Sequence, residues 1–398
     1  MNRDEFNLVI KDRYRKRYIN NNPLIILDSL ADATVIPAEG SIVALNDERG
    51  NFIARGYVGS QNKGVGWLLT KKNSEQYDQA FVSRKLAAAV SKRQPFFYDE
   101  NTTAFRLFNA EGDGIGGITI DYYDGYYLIN WYNEGIYYHR ELFFTAIKEQ
   151  LSYLGIYQKM RFQSNNFAEK TFIDGIRANS PLTIKENGIK YLVNLEDGLM
   201  VGIFLDQRNV REAIQRKYAK NKKVLNCFSY TGAFSIAAAI GGAKSTTSVD
   251  LAVRSRESTE ANFKINQIKL ENHEIIVDDV FDYFKYANRK QLQFDLIIID
   301  PPSFARTKKR VFSVQKNYPD LLKLAVPLLA RDGVFVLTTN HAGYSRERFY
   351  KQILDTLADL NQKFVVIEEH GLSEDFTVNA YSKESDYLKV VFLRRAGK

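Results

Sequence analysis

Cysteine is nearly absent from this 398-residue sequence, and the single thiol, on Cys227, cannot form an internal disulfide bond. A chain without disulfides suits a reducing compartment such as the cytoplasm. One cysteine and four scattered histidines also lack the ligand pattern of a structural zinc site, so we expect no metal. The histidines are His139, His273, His341 and His370.

Long apolar runs are lacking as well. No stretch approaches the run of about 20 apolar residues that crosses a bilayer. The N-terminal segment is charged where a secretory signal would be apolar. The sequence therefore predicts a cytoplasmic protein that does not interact with membranes.

Basic residues exceed acidic ones. The chain has 55 Lys and Arg against 47 Asp and Glu, which gives a formal net charge of +8. This charge favours an acidic partner, most often a nucleic acid, although solvated lysines alone can produce the same excess. Hydrophobic residues make up 45% of the chain, which is enough to form a substantial core.

Residues 1–77 have the pattern of a small, mostly β domain, because short apolar or alternating runs recur between glycines. A basic cluster follows the first run. It either contacts RNA phosphates or forms a solvated turn, and composition alone does not favour one of these. The RNA-binding candidates in this cluster are Lys11, Arg13, Arg15 and Arg17.

Residues 78–190 predict a second, α/β domain. The stretch Phe81–Arg93 has helical spacing, and two strand patterns further along flank a hairpin turn at Asp124 and Gly125. The aromatic residues of these strands could stack on bases, but their alternation favours a position in the core. The glycine-rich residues 112–117 have no strand-to-helix context and are interpreted as a loop.

Residues 191–398 alternate strand and helix patterns, which predicts a largely parallel sheet with helices on both faces. The last two strand patterns have no long helix between them, so an antiparallel edge is allowed. The fold class is therefore α/β. We expect catalysis in this region, because residues with useful chemistry follow its strands.

One βαβ unit, residues 223–251, organises this region. An apolar run ends at a turn of small residues, an alanine-rich helix follows, and the second strand ends on Asp250. Ligands of such sheets lie across the carboxyl ends of the strands, where this carboxylate can accept from ribose hydroxyls. The turn has one glycine where a dinucleotide-binding turn has three. A nucleoside without phosphates fits it better, and S-adenosylmethionine is such a ligand.

A second chemical signal follows the apolar strand pattern Phe294–Ile299. Asp300, Pro301 and Pro302 stop that strand, and Phe304 offers a ring on which a flipped base could stack. We interpret this turn as part of a site. The basic residues after it predict phosphate contacts, and they are Arg306, Lys308, Lys309 and Arg310. Upstream, Asp279 either contacts an adenine amine or caps a helix.

Three stretches resemble the signatures of bacterial class I S-adenosylmethionine-dependent methyltransferases of large-subunit ribosomal RNA. They are residues 202–208 (GIFLDQR), 226–232 (NCFSYTG) and 300–304 (DPPSF). The order of modules resembles the RlmI family of cytosine-5 methyltransferases, and the resemblance covers essentially the whole chain. It implies a PUA-like RNA-binding domain at 1–77, a central α/β domain at 78–190 and a Rossmann-like methyltransferase domain with a seven-stranded, mostly parallel sheet at 191–398.

The resemblance and the βαβ unit together predict the cofactor site. The residues expected to surround S-adenosylmethionine are Gln207, Arg208, Cys227, Phe228, Ser229, Tyr230, Thr231, Gly232, Asp250 and Asp279.

The sequence departs from the cytosine family at one decisive residue. Those enzymes add a cysteine thiolate to C6 of cytosine, because C5 alone is a poor nucleophile. The resemblance places that thiol just after the fifth strand, where this chain has residues 338–343 (TTNHAG) with His341 in its place. The usual route to C5 methylation is therefore disfavoured.

Residues 308–317, 338–343 and 372–376 instead resemble the catalytic half of the guanine-N7 methyltransferase RlmK. Guanine N7 has a lone pair and no proton, so direct transfer needs neither a thiolate nor a base. We expect methylation of guanine N7 in 23S rRNA or an assembly intermediate of it. The residues expected at the base are Asp300, Pro301, Pro302, Phe304, Asn340 and His341.

Other functions stay open from the sequence. An exocyclic amine or cytosine C5 could be the methylated atom. A protein of another class, a non-catalytic rRNA-binding assembly factor, could have kept the same fold, and a small-molecule methyltransferase is disfavoured by the basic N-terminal region. A homodimer is compatible with the sequence.

Overall fold

A computed structural model describes residues 5–61, 64–306 and 311–396. The chain divides into two compact units. The first comprises Met1–Leu182, Asn194–Val201 and Glu374–Ser385, and the second comprises Thr183–Val193, Gly202–Ser373 and Asp386–Lys398. Each unit has its own sheets and its own hydrophobic core.

The first unit begins with a five-stranded sheet in the spatial order β1-β3-β4-β5-β2. Its strands are β1 (Phe6–Ile10), β2 (Leu24–Ile26), β3 (Ile42–Asp47), β4 (Phe52–Gln61) and β5 (Gly64–Thr70). The predicted apolar runs coincide with these strands. The basic cluster does not form a turn, as one interpretation had it, but a helix, α1 (Asp12–Ile19). Asp12 in its first turn and Lys16 and Arg17 in its last turn stabilise the helix dipole.

A second five-stranded sheet follows in the same unit, in the order β10-β9-β8-β7-β6. Its strands are β6 (Ala104–Asn109), β7 (Ile118–Tyr123), β8 (Tyr126–Trp131), β9 (Gly155–Met160) and β10 (Phe172–Gly175). The helices of this part are α2 (Gln79–Lys92), α3 (Gln94–Phe97), α4 (Glu134–Tyr137) and α5 (Arg140–Gln150).

The predicted hairpin joins β7 and β8, and its two central residues, Asp124 and Gly125, have positive φ angles of 47° and 94°. Such angles are those of a tight primed turn. The strand aromatics Tyr127 and Trp131 are 1% and 0% exposed. The core interpretation is confirmed for them, and stacking of bases on these two rings is excluded by their burial.

The second unit starts with a short hairpin and is built around a seven-stranded sheet in the order β15-β14-β13-β16-β19-β21-β20. The hairpin strands are β11 (Leu182–Glu186) and β12 (Ile189–Val193). The sheet strands are β13 (Lys223–Cys227), β14 (Ser245–Asp250), β15 (His273–Val277), β16 (Phe294–Ile299), β19 (Leu329–Thr339), β20 (Phe364–His370) and β21 (Lys389–Arg395). A small antiparallel pair, β17 (Phe304–Arg306) and β18 (Val311–Ser313), follows β16.

Helices alternate with these strands, as predicted. They are α6 (Arg208–Ala213), α7 (Ala233–Ile240), α8 (Arg254–Ile265), α9 (Val280–Arg289), α10 (Val314–Ala325) and α11 (Arg346–Asp359). Strands β13 to β16 and β19 pair in parallel, whereas β21 is antiparallel to both β19 and β20. The predicted α/β fold with a mostly parallel sheet and an antiparallel edge is confirmed.

The sheet is buried on both faces. Successive residues of β16 alternate between two cores, so Ile297 and Ile299 pack in one and Leu296 and Ile298 in the other. All four are 0% exposed, which explains why this strand reads as a continuous apolar run. The turns that follow β13, β14, β15, β16 and β19 meet at one edge of the sheet, because parallel strands end on the same side.

Within the residues that the structure describes, no helix has the length and hydrophobicity needed to cross a membrane.

Two segments of the predicted third domain, Asn194–Val201 and Glu374–Ser385, lie in the first unit. The guanidinium of Arg93 binds the second of them by donating to the carbonyl oxygen of Asp375 from Nε at 3.1 Å and Nη2 at 2.7 Å. It also forms a two-pronged ion pair with Asp113 at 2.8 and 2.7 Å, and both side chains are 1% exposed. The boundaries at 77 and 190 stay a prediction.

This buried pair gives a test of stability. Replacing Arg93 by methionine leaves the Asp113 carboxylate without its buried partner, which costs about 3–5 kcal/mol in unfolding free energy. Lys92→Met is the matched control. Lys92 pairs with the same carboxylate at 2.9 Å, but its side chain is 49% exposed, so the expected loss is below about 1 kcal/mol. Denaturant titration of both variants measures the difference, and equal losses would contradict this account.

Candidate active site

The turn between β13 and α7 has an unusual backbone. Phe228, Tyr230 and Gly232 have positive φ angles of 60°, 52° and 76°. Two of these are not glycine, so the conformation is held by its surroundings rather than by local preference. At Gly232 a Cβ atom would lie 2.5 Å from the side chain of Thr259, so only glycine fits there. Strained turns of this kind are common at ligand sites.

Neighbouring residues hold this turn in place. The Asp250 carboxylate accepts from the backbone N–H of Tyr230 at 2.8 Å and from that of Ala252 at 2.9 Å. The Thr231 hydroxyl donates to the carbonyl oxygen of Gly202 at 2.6 Å, and Asn262 donates to the carbonyl oxygen of Thr231 at 3.0 Å. Asp250, at the end of β14, thus organises the turn and remains partly exposed. Each carboxylate oxygen has more than one acceptor position, so a ribose hydroxyl could still donate to it.

Asp279 caps helix α9, and its Oδ1 accepts from the backbone N–H of Phe281 at 2.8 Å. The helix-cap interpretation is confirmed. A contact with an adenine amine stays a prediction, since a carboxylate can accept several hydrogen bonds.

The segment before α6 is positioned by a buried ion pair. Arg211 binds Glu186 through two hydrogen bonds of 2.6 and 2.7 Å and also donates to the carbonyl oxygen of Phe204 at 2.7 Å. Both charged side chains are at most 3% exposed. This pair fixes the chain just ahead of Gln207 and Arg208, which are each 4% exposed.

Asp300 lies at the end of the central strand β16 and joins three chain segments. Its Oδ2 accepts from Nε2 of Gln207 at 3.2 Å, and its Oδ1 accepts from the hydroxyl of Thr338 at the end of β19. Burial raises the pKa of Asp300 to about 6, and the nearby Asp206 carboxylate acts in the same direction, against the hydrogen bond from Thr338. The carboxyl can therefore change its charge within the physiological range.

The turn after Asp300 presents both polar and aromatic groups. Pro301 is buried and Pro302 is exposed. The Ser303 hydroxyl donates to Oδ1 of Asn340 at 2.7 Å, which joins this turn to the one after β19. Phe304 begins β17 and is 63% exposed, as a ring that stacks on an incoming base would have to be.

His341 is held through its backbone. Its N–H donates to the hydroxyl of Thr339 at 3.2 Å, and its carbonyl oxygen accepts from the ammonium of Lys389 at 3.2 Å. Lys389 is only 4% exposed, and burial lowers its pKa. Sequence reasoning missed this lysine, because it stands at the start of the last strand, 48 residues from its partner.

Cys227 was predicted among the cofactor residues, but its side chain points into the core beneath the sheet, with 0% exposure. Residues of β13 alternate between the two faces, and Cys227 shares the face of Leu225. Its thiol is therefore remote from solvent, and only its backbone could face a ligand.

The RNA-binding candidates fall in both units. Arg13 and Arg15 are exposed on α1, and Arg15 pairs with Asp47 at 3.2 Å. Lys11 precedes the helix, and Arg17 lies in its last turn with a buried Nε that has no described partner. Arg306 is exposed at the end of β17, whereas Lys308, Lys309 and Arg310 lie outside the described residues.

The polar groups at the ends of β13 to β16 fit S-adenosylmethionine and do not suggest a metal. One observation favours a ligand with a donor group: Oε1 of the buried Gln207 accepts no hydrogen bond within the described part of the chain. Among the same residues, no group of three or more His, Cys, Asp or Glu side chains could hold a metal ion.

Comparison with known proteins agrees with this geometry. The family model described as S-adenosylmethionine-dependent methyltransferase matches residues 157–370, and the model of a PUA-like domain matches residues 8–71. The chain is 49% identical, over 98% of its length and 99% of the relative's, to YwbD of Bacillus subtilis (strain 168), which is provisionally named a ribosomal RNA large subunit methyltransferase. It is 31% identical, with the same coverage, to ribosomal RNA large subunit methyltransferase I of Aeromonas salmonicida (strain A449).

A solved structure is also similar over the whole chain. SMU.776, titled a provisional methyltransferase and crystallised in complex with SAH, superposes with a TM-score of 0.91 at 40% identity. The match covers 98% of this chain and 100% of that one. The resemblance of the three motifs and of the module order to the RlmI family is thus confirmed, whereas the resemblance to the guanine-N7 enzymes stays a prediction. The chain is a class I S-adenosylmethionine-dependent methyltransferase with an N-terminal PUA-like domain, and it belongs to the family that includes ribosomal RNA large subunit methyltransferase I.

Proposed function

We propose that this enzyme transfers the methyl group of S-adenosylmethionine directly to N7 of a guanine in 23S rRNA. The observation that carries the choice of atom is the position of Cys227, the only cysteine of the chain. Methylation of cytosine C5 by the covalent route needs a thiolate that can reach the base. The thiol of Cys227 is 0% exposed in the hydrophobic core, and burial raises its pKa well above the usual value.

Guanine N7 suits a site without a nucleophile. Its lone pair lies in the plane of the ring, and no proton has to leave. When bound, S-adenosylmethionine supplies an electrophilic methyl group, whose bond to sulfur breaks as N7 bonds to the carbon, so that the sulfur becomes a neutral thioether. The protein must hold the base in line with that group, which is catalysis by positioning.

The residues at the end of β16 would position the guanine. Asp300, held by Gln207 and Thr338, would accept from the N–H groups of the Watson–Crick edge. The exposed ring of Phe304 would stack on the base, and Asn340 would complete the pocket from the neighbouring turn, to which Ser303 joins it. His341 would form part of the wall rather than act as a base, because N7 carries no proton.

The cofactor would occupy the turns after β13, β14 and β15. Asp250 would accept from the ribose, Asp279 would accept from the adenine amine, and the residues of the strained turn would contact the rest of the molecule through their backbone. The Oε1 of Gln207, which accepts no hydrogen bond from the described residues, would accept one from the ammonium group of the cofactor.

Ribosomal RNA is proposed as the substrate on two grounds. The relatives named above as ribosomal RNA large subunit methyltransferases match this chain over 98% of its length and 99% of their own. The first unit also carries a PUA-like domain and the exposed basic helix α1. Such a basic surface is the electrostatic footprint of a protein that binds nucleic acid.

Asp250→Ala tests the cofactor site. Loss of a charged acceptor for the ribose is expected to weaken S-adenosylmethionine binding about tenfold to hundredfold, as measured by titration calorimetry. Asp282→Ala is the control, since Asp282 lies on the surface of α9 in an ion pair with Lys285. Unchanged affinity in the Asp250 variant would show that the ribose binds elsewhere.

The raised pKa of Asp300, about 6, predicts a pH dependence. Below this pH the carboxyl is protonated, and the protonated oxygen no longer accepts hydrogen bonds as a carboxylate oxygen does. The value of kcat/KM should therefore rise about tenfold per pH unit up to pH 6 and then level off. Asp300→Asn should lower kcat/KM and remove this inflection, and a variant that keeps the same inflection would assign it to another group.

Nucleoside analysis by mass spectrometry tests the methylated atom. Ribosomal RNA from a strain that lacks the gene should lose 7-methylguanine and regain it when the unsubstituted gene or a Cys227→Ala variant is expressed. Cys227→Ala should retain methylation, because the thiol is buried away from the base. Loss of 5-methylcytosine, or a folded Cys227→Ala protein without activity, would refute direct transfer to N7, and loss of an N-methylated exocyclic amine would reassign the atom.

A further inference from the structure

An open cavity of about 570 Å³ lies in the first unit, outside the catalytic residues. It is formed by the end of β5 and the segment after it, by helix α2, and by the loop that contains Gly114. Asn21 and Pro23, which follow the basic helix α1, complete its rim. The cavity is therefore continuous with the end of that helix.

Cationic side chains outnumber acidic ones in the lining. Four of them, Lys71, Lys72, Arg84 and Lys85, face two carboxylates, Glu75 and Glu111. Glu75 is already bound to Arg84 at 2.6 Å. Burial raises the pKa of Glu111, which disfavours its charged form.

Three ammonium groups of the lining form no ion pair among the described residues. Within the described parts of the chain, neither Lys71, Lys72 nor Lys85 forms an ion pair, and Lys71 donates only to the carbonyl oxygen of Ile19. Lys85 extends over the ring of Phe81 toward Gly114, where a Cβ atom would come within 2.5 Å of its Nζ. Its partial burial lowers its pKa, against the attraction of the Glu75 and Asp113 carboxylates, neither of which forms an ion pair with it.

The other lining residues are partly polar (Asn21, Thr70 and Asn379) and partly apolar. Leu68 and Leu69 of β5, Pro23 and Ala88 contribute carbon surface beside the lysines. A cavity lined both by cations without ion pairs and by carbon surface suits a ligand with both a phosphate and a flat, weakly polar ring. A nucleotide has this composition, and the volume is sufficient for one.

We propose that this cavity binds a nucleotide of the RNA substrate away from the base that is methylated. Lys71, Lys72 and Lys85 contact its phosphate, and the apolar wall contacts the sugar and base. The proposal depends on the proposed function only for RNA as the substrate class. It does not depend on which atom receives the methyl group.

Salt-dependent binding of unmodified 23S rRNA to the full chain tests this proposal. A Lys71→Gln/Lys85→Gln variant should bind more weakly, and the slope of log affinity against log salt concentration should fall by about two, one for each lost phosphate contact. Lys71→Arg/Lys85→Arg should restore both, because the charge is kept. Lys290→Gln, an exposed lysine at the end of α9, should change neither.

Cofactor affinity and the thermal midpoint show whether the variants are folded, and the product nucleoside reports separately on the methylated atom. Equal RNA affinity and slope in the glutamine variant would overturn the proposal. If the glutamine variant kept its RNA affinity and slope but lost binding of inorganic phosphate or nucleoside monophosphates, the proposal would also be overturned, and the cavity would be a small-anion site instead. Weakened rRNA binding with an unexpected methylated base would support the cavity and contradict only the proposed function.

Discussion

The hydrogen bonds accepted by the Asp300 carboxylate are the interactions on which the proposed catalytic site depends. Asp300 ends the central strand and accepts hydrogen bonds from Gln207, which comes from the segment ahead of the sheet, and from Thr338, which ends the neighbouring strand. The buried pair of Arg211 and Glu186 fixes the first of these segments. One partly desolvated charge thus holds three parts of the chain in register, and the same desolvation raises its pKa to about 6.

The position of the only thiol is the basis of the proposed chemistry. Side chains of β13 alternate between the two faces of the sheet. Asn226 donates to Ser235 on one face, so the side chain of Cys227 must lie on the other face, in the hydrophobic core with Leu225. The proposed base pocket would then offer a carboxylate, an amide, an imidazole and an exposed ring, which would suit a base whose own lone pair attacks the methyl group.

The sequence predicted what depends on local pattern. The β13 turn, the β16 strand and the alternation of helices with strands follow from periodicity and from turn residues. Contacts between residues that are distant in the sequence could not be predicted from local pattern. The bond of Gln207 to Asp300, the burial of Lys389 and the inward direction of Cys227 depend on the tertiary fold. The helix α1 was missed because five basic residues within seven positions leave few apolar residues to mark its helical spacing.

The central claim, direct methylation of guanine N7, has one most direct measurement. The purified chain is incubated with labelled S-adenosylmethionine and 23S rRNA from a strain lacking the gene, and the product is treated with borohydride and aniline. Methylation at N7 places a positive charge on the imidazole ring and makes it reducible, so the account predicts strand scission at the labelled guanosine. Full incorporation of label without scission would contradict it.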